Sequence, residues 1–297
     1  MIDGYYNRSL YKEAESLPAA AITTQSEQDN EDSDDYGERL ISLKHVNLAY
    51  KTNSGTITAL EDINFDIFRG EFICVVGPSG CGKSTLLKIL AGFIRPTGGS
   101  VQLDGETIDG VDWHRGVVFQ NPPLYKWFSV RENVAFGPKM RHIPKQQYEK
   151  ATDEYLAKVG LSDFADKKIY ELSGGMKQRV SIARSLINNP EILLMDEPFS
   201  ALDALTKENM QNLMRQIWWD TKKTVLFITH DVEEALLLGT RIIVLSRHPG
   251  KVIEDMYADF SQQIMDNKGK AGFSPSDIKF TEAFYKRRER LLRLINR

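Results

Sequence analysis

Apolar and polar residues alternate in two early segments of the chain. The alternation is approximate over residues 41–48 and strict over residues 63–67, and the turn-prone residues 52–55 lie between them. A period of two residues is the pattern of a strand with one buried face. We therefore predict two strands of an antiparallel β-layer, and we expect the folded part of the chain to begin near Leu40.

Continuous apolar runs follow at residues 72–76, 192–195 and 224–228, and a further run at 242–245 is interpreted as an edge strand. Runs without alternation are typical of strands that are buried on both faces of a parallel sheet. Residues 117–119 add a short strand. The sequence therefore predicts a second, largely parallel sheet.

The pattern becomes helical between about residues 124 and 172, most clearly over residues 147–159, which Gly160 closes. Another helix is predicted from Lys177 to Asn188. The last helical segment covers residues 276–296.

The C-terminal segment carries an apolar stripe and an excess of basic residues. Residues 277–297 contain seven Lys/Arg against three Asp/Glu. Three roles are open to such a helix: packing on the core of its own subunit, contact with an anionic membrane surface, or contact with a partner protomer. Of these we expect packing. The stripe consists of Phe280, Phe284, Leu291 and Ile295.

Composition limits the size of the core and the distribution of charge. The chain has 297 residues, of which 41% are hydrophobic, and a net charge of −3 at pH 7. Such a chain can bury one large core or two modest ones. Residues 1–39 carry ten Asp/Glu against three Lys/Arg. This predicts an acidic disordered tail, the alternative being a regulatory or docking arm.

The sequence also bears on compartment. No apolar run approaches the length of about eighteen residues that a membrane span needs, and the first residues do not resemble an export signal. Cys74 lies in a predicted buried strand and Cys81 in a glycine-rich loop. We therefore expect no disulfide framework and a reducing compartment.

The glycine-rich loop, with the sequence GPSGCGKS, follows the apolar run 72–76 and precedes a helical segment. It fits the pattern of a phosphate-binding loop, in which successive backbone N–H groups and a helix N-terminus face an anion. We predict that Lys83 reaches the β- and γ-phosphates of a nucleoside triphosphate and that Ser84 holds Mg²⁺. The predicted nucleotide-binding residues of this segment are Gly77, Pro78, Ser79, Gly80, Cys81, Gly82, Lys83, Ser84 and Thr85.

An acidic pair ends the apolar run 192–195. Asp196 suits a carboxylate that orders Mg²⁺ through water. Glu197 follows at the carboxyl end of the strand, where open α/β sheets bind their substrates. A carboxylate there can accept a proton from the water that attacks the γ-phosphate, so Glu197 is the predicted catalytic base.

Residues 172–176, with the sequence LSGGM, precede a predicted helix. Together with the phosphate loop and the acidic pair, this segment resembles the ATP-binding-cassette (ABC) family, over roughly residues 40–250. In that family the signature motif, which usually ends in Gln rather than Met, contacts the γ-phosphate held by the other protomer. The resemblance therefore implies that Ser173, Gly174 and Gly175 act in trans.

Four further positions match motifs of the same family. Gln120 resembles the Q-loop glutamine, Asp203 the D-loop that crosses the dimer interface, His230 the switch histidine that bonds the γ-phosphate, and Tyr50 the aromatic that stacks on adenine. The resemblance implies ATP and Mg²⁺ as cofactors, and Glu197, His230 and Gln120 as the catalytic residues. The implied metal ligands are Ser84, Gln120 and, through water, Asp196.

The resemblance implies an α/β fold with a P-loop NTPase (RecA-like) core, an antiparallel β subdomain and an inserted α-helical subdomain. The expected organisation is an acidic tail at 1–39, an ABC ATPase domain at 40–255 with the helical subdomain at about 124–172, and a C-terminal extension at 256–297.

The resemblance also implies partners. We expect a homodimer, separate membrane permease subunits, an extracytoplasmic solute-binding protein, a peripheral position at the cytoplasmic face of the cell membrane, and no nucleic acid. Tyr125, Trp127 and Phe128 lie where the permease-docking groove begins; they are candidate exposed aromatics or core of the helical lobe.

Within the family, residues 115–120, 132–137, 233–239 and 247–250 resemble the ATPases of taurine, aliphatic sulfonate, nitrate and thiamine-precursor importers. Residues 124–127, LYKW, depart from the LLPW expected there. The alternative is a soluble ABC ATPase of DNA repair or ribosome work. The chain has one cassette and no long coiled coil between its phosphate loop and its signature, which disfavours that alternative.

Overall fold

The computed structural model describes residues 37–52, 55–270 and 273–296. The predicted acidic tail at 1–39 therefore lies outside the described residues except for its last three positions. The α/β fold class predicted from the sequence is confirmed. An antiparallel sheet and a mostly parallel sheet pack together with helices.

Strands dominate the chain as far as residue 118, and strands and helices alternate between residues 174 and 245. The strands are β1 (Arg39–Thr52), β2 (Gly55–Phe68), β3 (Phe72–Val76), β4 (Gly98–Leu103), β5 (Glu106–Thr107), β6 (Arg115–Val118), β7 (Ile192–Asp196), β8 (Thr224–Ile228), β9 (Arg241–Leu245) and β10 (Val252–Tyr257). The helices are α1 (Lys83–Leu90), α2 (Val130–Met140), α3 (Lys145–Lys158), α4 (Gly174–Leu186), α5 (Ala204–Thr221), α6 (Val232–Leu238), α7 (Phe260–Asp266) and α8 (Glu282–Ile295). Short 3₁₀ turns occur at Ser162–Phe164, Ile169–Glu171 and Pro275–Phe280.

The antiparallel sheet has the strand order β2-β1-β4-β5. Its register pairs Leu43 with Phe65 and Val46 with Ile63 across β1 and β2. These four side chains are buried, as the period-two pattern predicts. They belong to a core that also contains α1 and one face of the second sheet.

The second sheet has the strand order β10-β9-β3-β8-β7-β6. All its pairs are parallel except that of β10 with β9. The prediction that residues 242–245 form an edge strand is wrong, because β10 covers β9. The charged and largely exposed β10 gave no strand signal strong enough to be recognised.

The parallel strands separate two hydrophobic cores. In β3, Phe72, Cys74 and Val76 belong to the core formed with the helices, whereas Ile73 and Val75 belong to the core shared with the antiparallel sheet. All five are fully buried, which explains why such strands are apolar without alternation. Because β3, β7 and β8 are parallel neighbours, their carboxyl ends lie at one edge of the sheet.

Residues 124–172, predicted to be helical, contain α2 and α3. A capping box begins α2: the Ser129 hydroxyl accepts the Glu132 N–H at 3.1 Å, and the Glu132 carboxylate accepts the Ser129 N–H at 2.6 Å. Gly160 ends α3 with a φ of 68°, as a left-handed helix terminus requires. The assignment of these residues to a separate subdomain remains a prediction.

Helix α4 begins at Gly174, so the predicted start at Lys177 is wrong. Two glycines weaken the helical pattern of the first turn. Ser173 compensates as the N-cap, since its Oγ accepts the Met176 N–H at 3.3 Å.

The predicted C-terminal helix is broken at Thr281 into the last 3₁₀ turn and α8, and the Thr281 hydroxyl caps α8 by accepting the Phe284 N–H at 3.3 Å. Phe280 is 86% exposed, so its place in the predicted apolar stripe is wrong. Phe284 and Leu291 are buried in the core formed with the helices. The remaining stripe thus packs on its own subunit, as expected.

Candidate functional site

The phosphate loop connects β3 to α1 and has a backbone that only glycine accommodates at two positions. Gly77 has a φ of 157°, and a Cβ there would lie 2.7 Å from the Leu245 carbonyl oxygen. Gly82 has a φ of 103°, and a Cβ there would lie 2.6 Å from Leu60 Cδ2. A tightly closed glycine-rich loop that leads into a helix N-terminus is the arrangement that binds phosphate through backbone N–H groups.

Lys83 is the first residue of α1, and only 5% of its surface is exposed. Its Nζ donates to the carbonyl oxygens of Gly77 at 2.8 Å and of Pro78 at 2.9 Å. The neighbouring Cys81 thiol is buried, and burial raises its pKa, so it stays neutral beside the ammonium. The loop therefore presents a fixed positive charge where an anion would bind.

Ser84 and Asp196 meet directly. The Ser84 hydroxyl, in the first turn of α1, donates to Asp196 Oδ1 at the end of β7, at 2.9 Å. Burial raises the pKa of Asp196, and the hydrogen bond from Ser84 opposes this shift only in part. A hydroxyl and a carboxylate beside the phosphate loop are the oxygen ligands that Mg²⁺ prefers, so these residues fit a magnesium ion.

Glu197 and His230, which follow β7 and β8, are also brought together. His230 Nδ1 lies 3.0 Å from Glu197 Oε2. The Glu197 backbone has a φ of 43°, in the left-handed region that non-glycine residues seldom adopt. Its N–H donates to the Ile228 carbonyl oxygen at 3.0 Å, which holds the turn in place. Strained backbone of this kind concentrates at functional sites.

The signature residues form the start of α4 and pack against α5. Gly174 is exposed, while Gly175 is buried so closely that a Cβ there would lie 2.5 Å from Thr206 Cγ2. Asp203 caps α5 by accepting the Thr206 N–H at 3.0 Å, and this hydrogen bond lowers the pKa of Asp203. The signature and the predicted D-loop are therefore neighbours.

Gln120 and Tyr50 lie at the surface. Gln120 is exposed just after β6. The carbonyl oxygen of the preceding Phe119 accepts a hydrogen bond from Gln178 of α4 at 3.2 Å, so the segment carrying Gln120 is joined to the signature helix. Tyr50 is 41% exposed near the end of β1.

The predicted site residues thus fall into separate groups. The phosphate loop, Asp196, Glu197 and His230 gather at one edge of the sheet. Within the described ranges, no hydrogen bond or ion pair joins Tyr50, Gln120 or the signature residues to this group.

Sequence reasoning missed the residues beneath His230. Lys207 Nζ lies 2.7 Å from Asp231 Oδ2 and 3.5 Å from Glu234 Oε1. The sequence does carry a signal for the start of α6. Asp is favoured at the N-cap and acidic residues are favoured in the first turn, which is the pattern of Asp231, Glu233 and Glu234. The contact with Lys207, from another helix, leaves no local signal.

The aromatic residues after β6 divide between surface and interior. Trp127 is 70% exposed. Tyr125 and Phe128 are half-buried, and the Tyr125 ring lies 4.7 Å from that of Phe136. The prediction of an exposed aromatic thus holds for Trp127, and the other two rings partly fill the helical region.

Among the helices that the structure describes, none has both the length and the apolar character of a membrane span.

Comparisons with known proteins agree with this geometry. The family model described as "ABC transporter" matches residues 60–200. The taurine import ATP-binding protein TauB of Roseobacter denitrificans is 46% identical over 86% of this chain and 93% of its own length, and TauB of Escherichia coli K12 is 44% identical over 85% and 96%. Among solved structures, the dimeric bacterial ABC transporter cassette MJ0796 is 36% identical, with a TM-score of 0.66 over 73% of this chain and 98% of that one. A dimeric post-hydrolysis state of MJ0796 with ADP and Pi gives a TM-score of 0.65 at 35% identity, over 73% and 98% of the two chains.

Proposed function

The chain belongs to the ABC transporter family, and we propose that it is the ATP-hydrolysing subunit of an importer for taurine or a closely related small sulfonate. The observation that carries the ATPase activity is the meeting of Ser84 with Asp196 and of Glu197 with His230 beside the phosphate loop. The proposed solute is inferred from the names of the relatives, which are 42–46% identical to this chain over most of its length.

The residues divide the chemistry among them. The N–H groups of the phosphate loop and the Lys83 ammonium bind the phosphates of ATP, and Tyr50 stacks on the adenine. Mg²⁺, held by Ser84, Gln120 and, through water, Asp196, would neutralise charge on the phosphate oxygens. Glu197 accepts the proton of the attacking water. His230, 3.0 Å from Glu197 Oε2, bonds the γ-phosphate and orients that carboxylate.

Two chains are needed to complete each nucleotide site. Ser173 caps α4 and Gly174 and Gly175 form its first turn, and no hydrogen bond in the described part of the chain joins them to the phosphate loop of their own subunit. They act on the ATP held by a second copy, and Asp203 crosses the interface beside them. The relative MJ0796 is described as dimeric, which supports this arrangement. A pair of identical surfaces related by a twofold axis would make two such sites.

The movement that accompanies ATP binding and hydrolysis is transmitted to separate permease subunits at the cytoplasmic face of the membrane. Trp127, exposed beside the half-buried Tyr125 and Phe128, offers an apolar contact for a permease helix. A solute-binding protein outside the membrane would deliver taurine to that permease. This subunit itself touches neither solute nor pore.

Uptake of labelled taurine tests the proposal. Cells whose only copy of this subunit carries Lys83→Ala should lose taurine uptake, and cells carrying Gly110→Ala, a change in open surface loop, should keep it. The purified full-length chain should copurify with a polytopic membrane protein. Undiminished taurine uptake in the Lys83→Ala cells would rule out the proposed solute, and loss of nitrate uptake instead would reassign the importer.

A further inference from the structure

A group of hydrogen-bonded side chains lies beneath the loop that carries His230. Its members come from α5, from α6 and from the loop between β8 and α6. We refer to it as the switch network, and it consists of Lys207, Gln211, Thr229, Asp231 and Glu234.

The switch network fixes both chain neighbours of His230. The Thr229 hydroxyl donates to the Glu234 carboxylate and accepts the Asp231 N–H at 3.0 Å. Asp231 Oδ1 accepts the first free N–H groups of α6 at 2.9 and 3.2 Å. Because both flanking residues are held, the backbone of His230 has little freedom, and its imidazole remains beside Glu197.

Lys207 is the cation of this network. Its ammonium lies 2.7 Å from Asp231 and 3.5 Å from Glu234, whose side chain is only 4% exposed. Burial raises the pKa of Glu234, although bonds from Thr229, Lys207 and Gln211 oppose the shift. Burial alone would lower the pKa of Lys207, but the two carboxylates raise it, so Lys207 stays charged. Removing this charge would leave two close carboxylates without a counter-ion.

Lys207 also lies one helical turn from Asp203. The Lys207 N–H donates to the Asp203 carbonyl oxygen at 2.8 Å, and the Asp203 carboxylate caps the same turn through Thr206 at 3.0 Å. A shift of the first turn of α5 therefore carries the base of the Lys207 side chain with it. The Lys207 ammonium in turn is bonded to Asp231, next to His230.

We propose that Lys207 is a positioning residue that couples Asp203 to His230. This inference rests on the proposed function, in which Asp203 contacts the partner protomer and His230 contacts the γ-phosphate. Closure of the dimer on Asp203 moves the first turn of α5, and Lys207 transmits that movement to the loop that places His230 beside Glu197. By this route one protomer influences the geometry of hydrolysis in the other, in addition to the contact that its signature makes with the nucleotide.

The direct test observes His230 rather than turnover. The full-length chain contains five histidines, and labelling them allows the His230 imidazole signal to be assigned by its loss in His230→Gln. Lys207→Met, which keeps the aliphatic stem, should shift that signal and leave the other four unchanged. Asp203→Ala, which removes the cap of α5, should shift the His230 signal in the wild-type background and have no further effect in Lys207→Met.

Hydrolysis gives an independent measure. Lys207→Met should lower kcat about tenfold and change the KM for ATP less than about twofold, because misplaced groups slow the chemical step more than they weaken binding. Lys207→Arg should restore kcat to within about twofold of wild type, since it keeps the charge. Val101→Ala, a core truncation in β4 of the antiparallel sheet, controls for lost stability and should keep its kcat. If Lys207→Met does not fold, Lys207→Gln takes its place.

An unshifted His230 signal in a folded Lys207→Met or Lys207→Gln protein would overturn the proposal. Equal responses to Asp203→Ala with and without Lys207 would do the same. Because the imidazole signal does not depend on ATP hydrolysis, failure of the ATPase assignment would appear separately, as an inactive wild-type protein whose His230 still responds to Lys207.

Discussion

At the scale of single residues, Glu197 combines backbone strain with a specific side-chain contact. A φ of 43° at a non-glycine residue costs on the order of 1–3 kcal/mol. The hydrogen bond from its N–H to Ile228 holds that conformation, and the carboxylate consequently points at His230. The contact with His230 beside the phosphate loop, rather than the strain alone, supports the proposed role of Glu197 as the base.

Glu197→Gln should keep ATP binding and lose hydrolysis. The amide has the shape of the carboxylate but cannot accept the proton, so turnover should fall by about 10²–10⁴-fold. Phosphate release measures the turnover, and isothermal titration should show unchanged ATP affinity. Glu208→Gln, which removes an exposed carboxylate on α5, is the matched control. Turnover above about a tenth of wild type would exclude Glu197 as the base.

Gly82→Ala should weaken ATP binding. The added methyl group would lie 2.9 Å from the Ala59 carbonyl oxygen, at a φ of 103° that side chains seldom allow, so the phosphate loop must distort. A distortion of about 1–3 kcal/mol predicts a loss of about 5- to 150-fold in ATP affinity, measured by isothermal titration. Gly110→Ala, where a Cβ has nothing within 4 Å, should bind ATP normally. Equal affinities in the two variants would show that the loop tolerates a side chain at Gly82.

Sequence reasoning found the residues of the candidate site that belong to short local motifs. The phosphate loop and Asp196 are specified by their own neighbours in the chain, and so could be predicted. The pairing of Lys207 with Asp231 and Glu234 joins residues more than twenty positions apart on different helices. Such a contact depends on how α5 packs against α6, and a single sequence carries no pattern for it.

At the scale of elements, burial decided which predictions succeeded. β3, β7 and β8 are apolar on both faces because a core lies on each side, and this unusual pattern identified them. β10 was missed because its exposed charges weaken the strand pattern. The start of α4 was missed because its glycines weaken the helical pattern. The predicted apolar stripe at the C-terminus is confirmed for the residues after the Thr281 cap and is wrong for Phe280, which precedes it. Periodicity alone does not show that the helix is interrupted at Thr281.

Two phenylalanines at the C-terminus form a natural pair for testing the packing of α8. Phe284 is 1% exposed and Phe280 is 86% exposed. Phe284→Ala should lower the free energy of unfolding by about 3–5 kcal/mol, because it opens a cavity in the core. Phe280→Ala should change it by less than about 0.5 kcal/mol. Urea unfolding followed by circular dichroism measures both.

Binding to anionic vesicles distinguishes packing from a membrane role for α8. Deletion of residues 276–297 should lower thermal stability or dimer yield and leave the vesicle binding of the isolated subunit unchanged. A stable Phe284→Ala protein, together with loss of vesicle binding on deletion, would show that the basic face of α8 is the functional one.

At the scale of the whole molecule, the candidate site is divided between two places. Asp196, Glu197 and His230 lie at the edge of the parallel sheet beside the phosphate loop, whereas Ser173 caps α4, whose Gly175 lies close to Thr206 of α5. In the part of the chain that the structure describes, no hydrogen bond joins Ser173, Gly174 or Gly175 to the side chains at the sheet edge. This separation is functional if each signature contacts the nucleotide bound by another copy. Hydrolysis then requires a closed dimer, and closure of the dimer is the movement that would act on a permease.

Mixing two inactive variants tests this division directly. Glu197→Gln removes the base and keeps the signature, while Ser173→Arg blocks the signature and keeps the base. Each variant alone should be inactive. In a mixed dimer, however, the intact base of one chain faces the intact signature of the other. Random pairing makes about half of the dimers mixed, each with one complete site, so activity should recover to at most about a quarter of wild type.

Recovery is possible only if the signature acts in trans. If it served its own phosphate loop, every site in the mixture would lack either the base or the signature, and no activity would return. Differently tagged variants, purified in tandem before the assay, establish that mixed dimers are present. Mixed dimers that form and stay inactive would therefore place the signature in the same chain as its nucleotide, and would remove the physical reason for coupling hydrolysis to dimer closure.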